Sequence, residues 1–575
     1  MLRNNKGIAL VIALLVIVVL MILGSVLILR SVAEKRSSDE EKRLIQAFYI
    51  AEAGANAALN RIDVLINSDL LNTVNQINPQ VLSNRAQQYV TANNGLGFLI
   101  TYCLENGSAQ FTQVVINGTP TAVHNGTTTA LGNGNYVYTI NVTQKIPPGP
   151  SMVASNVYDF PYNYTISSLG TVGGSSKRKV LLSGDFTVRV QQDNFARYAL
   201  FTNHQGMPSG DPVWFGSDTR FRGPIHTNEY FSFAFNPRFD GLVTQQHLKA
   251  QFYNNNHPRL LEADSNPPDD VPIFNAGFNR KVDQINLESS YGQSAMLNEA
   301  KGGTSISDNG IYVPNSGGSL TGGIYVKGAS TEGDNTVQMG VDVNGDAQYT
   351  ITQGATTKII TVFKNQHRTT VQTEGGGTDT YNGIPDGISH LGTLIYVDGR
   401  IDSLKGTVQK DTEITVASQN DIIITDNVMY QEYNAGPPGP HPTPNADDKT
   451  NLLGIVTWGG NVRIGTTAPN AAPNDINIHG TILARNANGI FTVDNYDSIS
   501  PRGTVTLLGG AITDFYGSFG QFNASGELLY GYGRNFVYDS RMGAGKSPPY
   551  FPSMRTFIAF TNDITDKMNW QEGGV

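Results

Sequence analysis

The chain has 575 residues, of which 15% are charged, and its formal net charge at pH 7 is −9. The net charge is negative and the basic residues are scattered along the sequence. Nucleic-acid-binding proteins usually have a clustered basic face, so we expect no nucleic-acid partner. The single cysteine, Cys103, excludes an intramolecular disulfide and a thiolate zinc site. We expect it to behave as a small buried hydrophobic residue.

The chain begins with an apolar run at residues 8–29, which only Gly24 and Ser25 interrupt. About 22 helical residues span about 33 Å, which is enough to cross the hydrocarbon core of a bilayer. A secretory signal has a shorter apolar core and a small-x-small cleavage site, and the run has neither feature. We therefore predict a transmembrane helix that the mature protein keeps.

The helical pattern continues beyond the apolar run. Apolar residues recur three and four positions apart, so one apolar stripe persists for several turns of helix. We predict that residues 30–67 form the amphipathic half of one long helix. The stripe consists of Leu44, Phe48, Ala51, Ala55, Leu59, Ile62 and Ile66.

Two features of this helix carry a family resemblance. Lys6-Gly7 precedes the apolar run, and Ala-Phe-Tyr-Ile-Ala-Glu-Ala-Gly-Ala follows it at 47–55. Both resemble PilX-type minor pilins and related type IV pilin-like, or pseudopilin-like, proteins. The resemblance implies that residues 1–7 are a leader, which a prepilin peptidase removes after Gly7 before it methylates Ile8. It also implies that the helix packs against other pilins or pseudopilins in a filament.

The chain departs from major pilins at Ile12. The resemblance aligns this residue with a glutamate thought to pair with the terminal amine of a neighbouring subunit. No carboxylate lies within 8–29, and a buried charge without a partner costs several kcal/mol. PilX-type and K-type minor subunits share this departure, and the K-type is associated with the filament tip. The mass of 62.1 kDa also favours a tip or low-copy position.

The predicted cellular location follows from the family resemblance more than from the distribution of charged residues around the apolar run. Arg3 and Lys6 precede the apolar run, but basic residues also follow it, so the positive-inside rule does not fix the orientation. A pilin-like protein is a single-pass protein of the bacterial inner membrane with a cytoplasmic N-terminus. It then becomes extracellular or periplasmic within a filament. The alternative is a signal anchor that never enters a filament.

The rest of the chain is predicted to be mainly β, giving an α+β protein. Residues 68–190 form a pilin-like antiparallel sheet that covers the amphipathic stripe, and 191–575 form a large β-rich domain. The β-branched strands of this domain, punctuated by Gly, Asn and Asp, favour an irregular parallel β-helix with an excursion around 265–390. Segment 221–244 resembles an uncharacterised domain found after similar pilin-like helices. Predicted strands are 97–104, 136–144, 179–190, 393–397, 413–417, 421–425, 454–458, 475–479, 481–483 and 504–508, and a short helix is predicted at 286–301.

Motifs of catalysis are absent from the sequence. There is no GxSxG, HExxH or Walker loop, and the nine histidines are dispersed. His226 is expected to be structural. Aspartates such as Asp398 and Asp402 are expected to bond the local backbone in turns, although paired carboxylates also serve in glycan cleavage. We therefore expect no enzyme activity, and a polysaccharide lyase or hydrolase is the least favoured function.

One segment has the spacing of a calcium loop. Asp342, Asn344 and Asp346 place three oxygen-bearing side chains two residues apart, as hard cations prefer. However, Gln353 stands where a bidentate glutamate belongs, and an Asn-Gly hairpin turn explains the same residues. We favour the turn, keep calcium as the alternative, and expect no other cofactor.

The C-terminal region is rich in aromatic residues among glycines. They form either a platform for a glycan or surface ligand, or a cap on the end of a solenoid core, and we favour the cap. A surface adhesin or glycan-binding protein anchored outside any filament is thus the second candidate function. These residues are Phe515, Tyr516, Phe519, Phe522, Tyr530, Tyr532, Phe536, Tyr538, Tyr550 and Phe551.

Overall fold

The computed structural model divides the chain into two compact units. Unit 1 comprises Met1–Gln192 with Thr556–Val575, and unit 2 comprises Asp193–Arg555. This division differs from the predicted 191–575 domain, because the last residues return to unit 1. The structure describes residues 6–75, 77, 79–105, 107–154, 157–217, 219–254, 257–262, 272–287, 292–328, 335–439, 441–523, 526–561 and 569–573.

Unit 1 begins with the long helix Lys6–Val64, which includes most of both predicted halves. It continues as a π-helical turn, Leu65–Leu70, and a short helix, Leu71–Asn75. Two further helices, Pro79–Thr91 and Gly95–Tyr102, follow in a region predicted to be β.

The predicted strand at 97–104 is wrong, because this segment lies mostly in helix Gly95–Tyr102. Asn94 caps the helix, and its Oδ1 accepts a hydrogen bond from the Gly97 N–H at 2.9 Å. Leu96, Leu99 and Tyr102 are buried, and their spacing of three is helical rather than alternating. The N-cap and this spacing together outweigh the β-like composition.

The sheet of unit 1 is antiparallel and has nine strands. The predicted strands at 136–144 and 179–190 are confirmed and lie within its longer members. The C-terminal strand Asn569–Gly573 pairs antiparallel with Ser176–Asn194, with Trp570 opposite Leu182. The nine strands are Thr112–Ile116, Thr119–Asn125, Thr129–Leu131, Gly134–Gln144, Ser151–Ala154, Val157–Val172, Ser176–Asn194, Ser553–Thr561 and Asn569–Gly573.

Small residues bring the long helix close to this sheet. Ala47, Ala51 and Ala55 are fully buried on the helix. A Cβ atom added at Gly170, in strand Val157–Val172, would lie 2.1 Å from the Ala47 carbonyl oxygen and 2.5 Å from the Ala51 nitrogen. The helix backbone therefore contacts the strand backbone here, and the sheet buries part of the amphipathic stripe.

The core of unit 1 lies between its helices and the sheet. Phe98 stacks on Phe160, with ring centroids 4.1 Å apart and an interplanar angle of 6°. Cys103 is buried as predicted, and its Sγ donates to the Leu65 carbonyl at 3.3 Å. The helix that replaced the predicted strand thus supplies part of the core.

Unit 2 contains long parallel ladders. In one of them, strand Thr393–Val397 pairs with Glu413–Ser418, and the pairing continues through strands far apart in sequence. Strand Leu200–His204 pairs in parallel with Thr504–Phe515, so Leu200 lies opposite Ala511. The ladder runs through Ile324–Lys327, Thr393–Val397, Glu413–Ser418, Leu452–Thr457, Asn477–Ala484, Thr504–Phe515, Leu200–His204, Ile225–Thr227, Val243–Gln245 and Phe278–Asn279.

Two more parallel ladders accompany the first. Most strands predicted between 393 and 508 are confirmed within the ladders, and the two predicted at 475–479 and 481–483 form one strand, Asn477–Ala484. One further ladder comprises Asn335–Val341, Ile401–Val408, Ile422–Tyr430, Val462–Ile464 and Phe491–Val493. The other comprises Thr504–Phe515, Gly533–Val537, Arg220–Phe221, Arg238–Phe239 and Ile273–Phe274.

Aliphatic residues in register form the core of unit 2. Ile395 lies opposite Val416, Val416 opposite Ile455, and Ile455 opposite Ile482, and all four are fully buried. Stacked side chains of this kind bury apolar area continuously along a ladder. The chain is thus mostly β, with a long N-terminal helix.

An antiparallel meander interrupts the parallel pairing inside the region predicted as an excursion. The helix predicted at 286–301 is observed as Gln293–Lys301, which ends at Gly302 with a φ of 60°; residues 288–291 lie outside the described part. The meander comprises Asn335–Val341, Ala347–Gln353, Thr356–Phe363, Arg368–Thr373 and Thr378–Asn382. Smaller elements of unit 2 are Phe195–Arg197, Ser232–Phe233, Ala250–Asn254, His257–Leu261, Gly310–Tyr312, Asn315–Ser316, Ser319–Leu320, Lys364–Gln366, Gly520–Phe522, Leu528–Gly531 and Ser540–Gly543.

Candidate functional site

The apolar half of the long helix presents its side chains to the outside. Ile8, Ile12 and Leu29 are 65%, 58% and 69% exposed. The Ser25 hydroxyl donates to the Met21 carbonyl at 2.7 Å, and the helix continues unbroken through Gly24. The helix is long and apolar enough to cross a membrane. An exposed apolar surface of this length fits membrane anchoring.

The predicted processing site lies at the start of this helix. Gly7 and Ile8 belong to its first turn, whereas residues 1–5 of the predicted leader lie outside the described part. Cleavage and methylation there stay predictions. Ile12 lies one turn further on, and the first acidic residue after it is Glu34, which pairs with Arg30 at 2.9 Å.

The calcium candidate forms a hairpin turn between strands Asn335–Val341 and Ala347–Gln353. Asp342 Oδ1 accepts hydrogen bonds from the backbone N–H groups of Asn344 at 2.8 Å and Asp346 at 2.9 Å. The Asp346 N–H is the main cause that lowers the pKa of Asp342. The carboxylate is thus already used by the turn. Calcium binding at this turn stays a prediction.

The other residues considered for chemistry have structural contacts. His226 is buried, and its ring nitrogens contact Thr244 Oγ1 at 2.9 Å and Asn228 Oδ1 at 3.0 Å. Burial lowers the pKa of His226. Asp398 accepts hydrogen bonds from the Tyr325 hydroxyl at 3.0 Å and from Lys327 Nζ at 2.7 Å.

Asp402 and a further aspartate of unit 2, Asp421, also contact arginine side chains. Asp402 contacts Arg400 and accepts a hydrogen bond from the Asn335 N–H at 3.1 Å. Asp421 lies 3.1 Å from Arg463. These contacts are with side chains and with the N–H of Asn335, which is distant in sequence, so they differ from the local backbone bonds predicted for Asp398 and Asp402.

A cavity of about 550 Å³ lies within unit 2. Two of the aromatic residues noted near the C-terminus, Phe519 and Phe522, line it, whereas Tyr516 and Phe536 belong to the core. Trp214 and Tyr253 form another wall, with ring centroids 5.5 Å apart and an interplanar angle of 89°. These four C-terminal aromatic residues therefore belong to the core or line the cavity, and Phe519 does both.

Arg534 also lines the cavity and is only 9% exposed. Its Nη1 donates to the Tyr516 hydroxyl at 2.7 Å, and its Nη2 donates to the Trp214 carbonyl at 3.3 Å. The guanidinium carbon lies 5.4 Å from the Tyr516 ring centroid and 6.0 Å from that of Phe519. Burial raises the pKa of Tyr516, so its hydroxyl stays protonated.

Sequence reasoning missed Trp214, Tyr253 and Arg534 as cavity residues. They come from three separate segments, and the parallel pairing of Phe221 with Phe536 joins the segment that follows Trp214 to the strand that contains Arg534. The only signal in the sequence was the aromatic enrichment near the C-terminus, which indicates one wall but not its partners.

Two family models match parts of the chain. The PilX N-terminal model matches residues 6–56, and a domain of unknown function (DUF4900) matches residues 158–247. No curated protein and no solved structure matches the chain. The first match contains Gly7, Ile8 and Ile12 within the exposed apolar helix, while the second names no activity. The chain therefore has a pilin-like N-terminus, which indicates a minor pilin related to type IV pili.

Proposed function

We propose that this chain is a minor pilin or pseudopilin-like subunit of a type IV pilus or a type II secretion-like filament. A prepilin peptidase processes it after Gly7, and it occupies the tip or a low-copy position. It displays unit 2 as a large β domain outside the cell for adhesion or assembly. The observation that carries this proposal is the exposed apolar helix surface at 8–29, which continues into a helix packed on an antiparallel sheet.

An apolar helix surface of this length requires lipid or other apolar helices around it. Before assembly the inner membrane supplies the lipid, and in the filament the helices of other pilins replace it. Residues 8–29 carry no charge. The helix therefore enters either environment without the cost of burying an unpaired carboxylate.

The low-copy position follows from the size of the chain. Its mass is 62.1 kDa, and a body of this size is difficult to repeat at every step of a helical filament. The parallel ladders and their stacked core support an irregular parallel β-helix as the architecture of unit 2. Such a body is rigid and suited to display.

A non-enzymatic role completes the proposal. Asp398 contacts a tyrosine hydroxyl and a lysine, and Asp402 contacts Arg400 and a backbone N–H. Carboxylates held in such contacts support a structural assignment rather than acid-base chemistry.

Fractionation of the producing cells tests the filament role. Filaments sheared from the surface are separated from membranes, and the full chain and the major pilin are quantified in both fractions. We expect the chain in the sheared fraction at a copy number far below that of the major pilin. A chain confined to the membrane in cells that make normal filaments would contradict the proposal.

A further inference from the structure

The cavity of unit 2 has the composition of a ligand site. We call it the Arg534 pocket and define it by Trp214, Phe235, Tyr253, Phe522 and Arg534. Its volume of about 550 Å³ lies within the range of about 300–1,000 Å³ typical of small-ligand sites. We propose that this pocket binds a carboxylate-bearing sugar, such as a uronic acid residue of an acidic glycan.

The charge of Arg534 indicates an anion. Arg534 is 9% exposed, and among the described residues it has no carboxylate partner within 4.0 Å. Among the described residues that line the pocket none is acidic. Two hydrogen bonds to neutral oxygens and three nearby aromatic rings stabilise the cation only in part. A bound carboxylate would supply the missing counter-charge.

One guanidinium fits a carboxylate better than a phosphate. A guanidinium can bind a carboxylate through two parallel N–H···O bonds, and a single positive charge balances a single negative one. Arg534 is the only cationic residue among the described residues that line the pocket. A dianionic phosphate would leave one charge unbalanced in a partly buried site.

The walls indicate a ring with an apolar face. Trp214, Tyr253 and Phe522 are half-buried, so their rings are partly open to the cavity. Phe235 is 37% exposed and has a φ of 61°, a conformation that bulky side chains rarely adopt. Strain of this kind persists where the surroundings hold it and is frequent at ligand sites. Aromatic rings held this way offer flat surfaces for the C–H face of a sugar.

Polar groups at the rim of the pocket favour a sugar over a simple aromatic acid as the ligand. Ser217 and Gln521 line the pocket and are exposed. A hydroxyl and an amide can each donate and accept hydrogen bonds, which suits the several hydroxyls of a pyranose ring. The pocket therefore combines a cation, aromatic walls and neutral polar groups.

This inference rests on the proposed function only for where the ligand is encountered, namely outside the cell. Binding itself requires no filament. If no binding is measured, the pocket assignment is overturned and the filament proposal stays intact. If the chain is absent from sheared filaments, the filament proposal is overturned and the pocket assignment stays intact.

The test uses the purified full chain in detergent micelles and its tryptophan fluorescence, to which Trp214 contributes from the pocket wall together with Trp458 and Trp570 elsewhere. Glucuronate, glucose and benzoate are titrated separately at constant ionic strength. We expect a saturable change with glucuronate, and binding of glucose and benzoate weaker by at least about tenfold, since each lacks one of the recognised features. Trp214→Phe keeps an aromatic wall and should abolish the signal, which assigns the change to the pocket.

Two variants separate the cation from the walls. Arg534→Gln should remove the preference for glucuronate over glucose, and Phe522→Ala should weaken the binding of both sugars. Phe522 is a half-buried wall residue, so this variant tests the site even if Arg534→Gln lowers the stability of unit 2. Equal binding of glucose and glucuronate, binding of benzoate alone, or no saturable change would each overturn the proposal.

Discussion

Gly170 is a position where the backbone of the long helix contacts the sheet. A Cβ atom there would lie 2.1 Å from the Ala47 carbonyl oxygen and 2.5 Å from the Ala51 nitrogen. Both neighbours are backbone atoms, so no rotamer change relieves the overlap, and the helix must move away from the strand. Overpacking of this kind costs about 1–3 kcal/mol. We expect Gly170→Ala to lower the free energy of unfolding of unit 1 by about 2–3 kcal/mol.

Cys103 provides the assay, because it is the single cysteine and is fully buried in unit 1. The full chain in detergent is exposed to a thiol reagent over a range of urea concentrations, and the midpoint of labelling is measured. With a dependence on urea of about 1–3 kcal/mol per molar, Gly170→Ala should lower this midpoint by about 1–2 M.

Thr165→Val is the matched control, because Thr165 lies on the same strand and is exposed. The control should change the free energy of unfolding by less than about 0.5 kcal/mol. Equal labelling midpoints for Gly170→Ala and Thr165→Val would refute the close contact between helix and strand. The structural basis for the small residues of the helix would then be lost.

Three further predictions concern unit 2, whose unfolding in urea can be followed by the fluorescence of Trp214 and Trp458 in a Trp570→Phe background, since Trp570 lies in unit 1. Arg541→Met should destabilise it by about 3–5 kcal/mol, because fully buried Asp539, which lies 2.6 Å from Arg541, loses its partner. As the control, Lys410→Ala removes an exposed ion pair with Glu432, 3.4 Å apart, and should leave the midpoint unchanged. Burial lowers the pKa of His479 from 6.5 to about 3. As the pH falls below 6.5, the unfolded state therefore binds a proton that the folded state does not. The free energy of unfolding then falls by about 1.4 kcal/mol per pH unit between pH 6.5 and about pH 3. His479→Gln should show a shallower loss between pH 6.5 and pH 4, and an equal slope would contradict this. Addition of calcium should leave the urea midpoint of unit 2 unchanged, since the turn already uses the Asp342 carboxylate. A calcium-dependent increase in this midpoint that Asp342→Ala removes would contradict the prediction.

Local sequence patterns predicted the individual helices and strands of this chain better than they predicted which strands pair with each other. The apolar run, the stripe and most of the strands after residue 393 follow from spacing and composition, because burial on one face imposes a period on the sequence. The segment 97–104 was wrongly predicted as a strand, because an N-cap at Asn94 and a spacing of three outweighed its β-like composition. The pairing of strands does not follow from local patterns. Leu200 lies opposite Ala511, and nothing in the sequence around either residue specifies that register.

The same limit applies to the pocket. Aromatic enrichment near the C-terminus pointed to Phe519 and Phe522, but Trp214 and Tyr253 are distant in sequence. The isolation of Arg534 from any carboxylate, among the described residues, is a property of three-dimensional packing and has no counterpart in the sequence. The predicted processing site is the opposite case, because the prediction of Gly7 and Ile8 rests on a contiguous motif.

Our proposed function requires that this chain enters a filament through its N-terminal helix. Mass spectrometry of the mature N-terminus tests it most directly, on material sheared from cells with and without prepilin peptidase. We predict an N-methylated Ile8 in the sheared fraction of the first cells and no chain in that of the second. An intact N-terminus at Met1 or Leu2, confined to the membrane in both, would contradict the account.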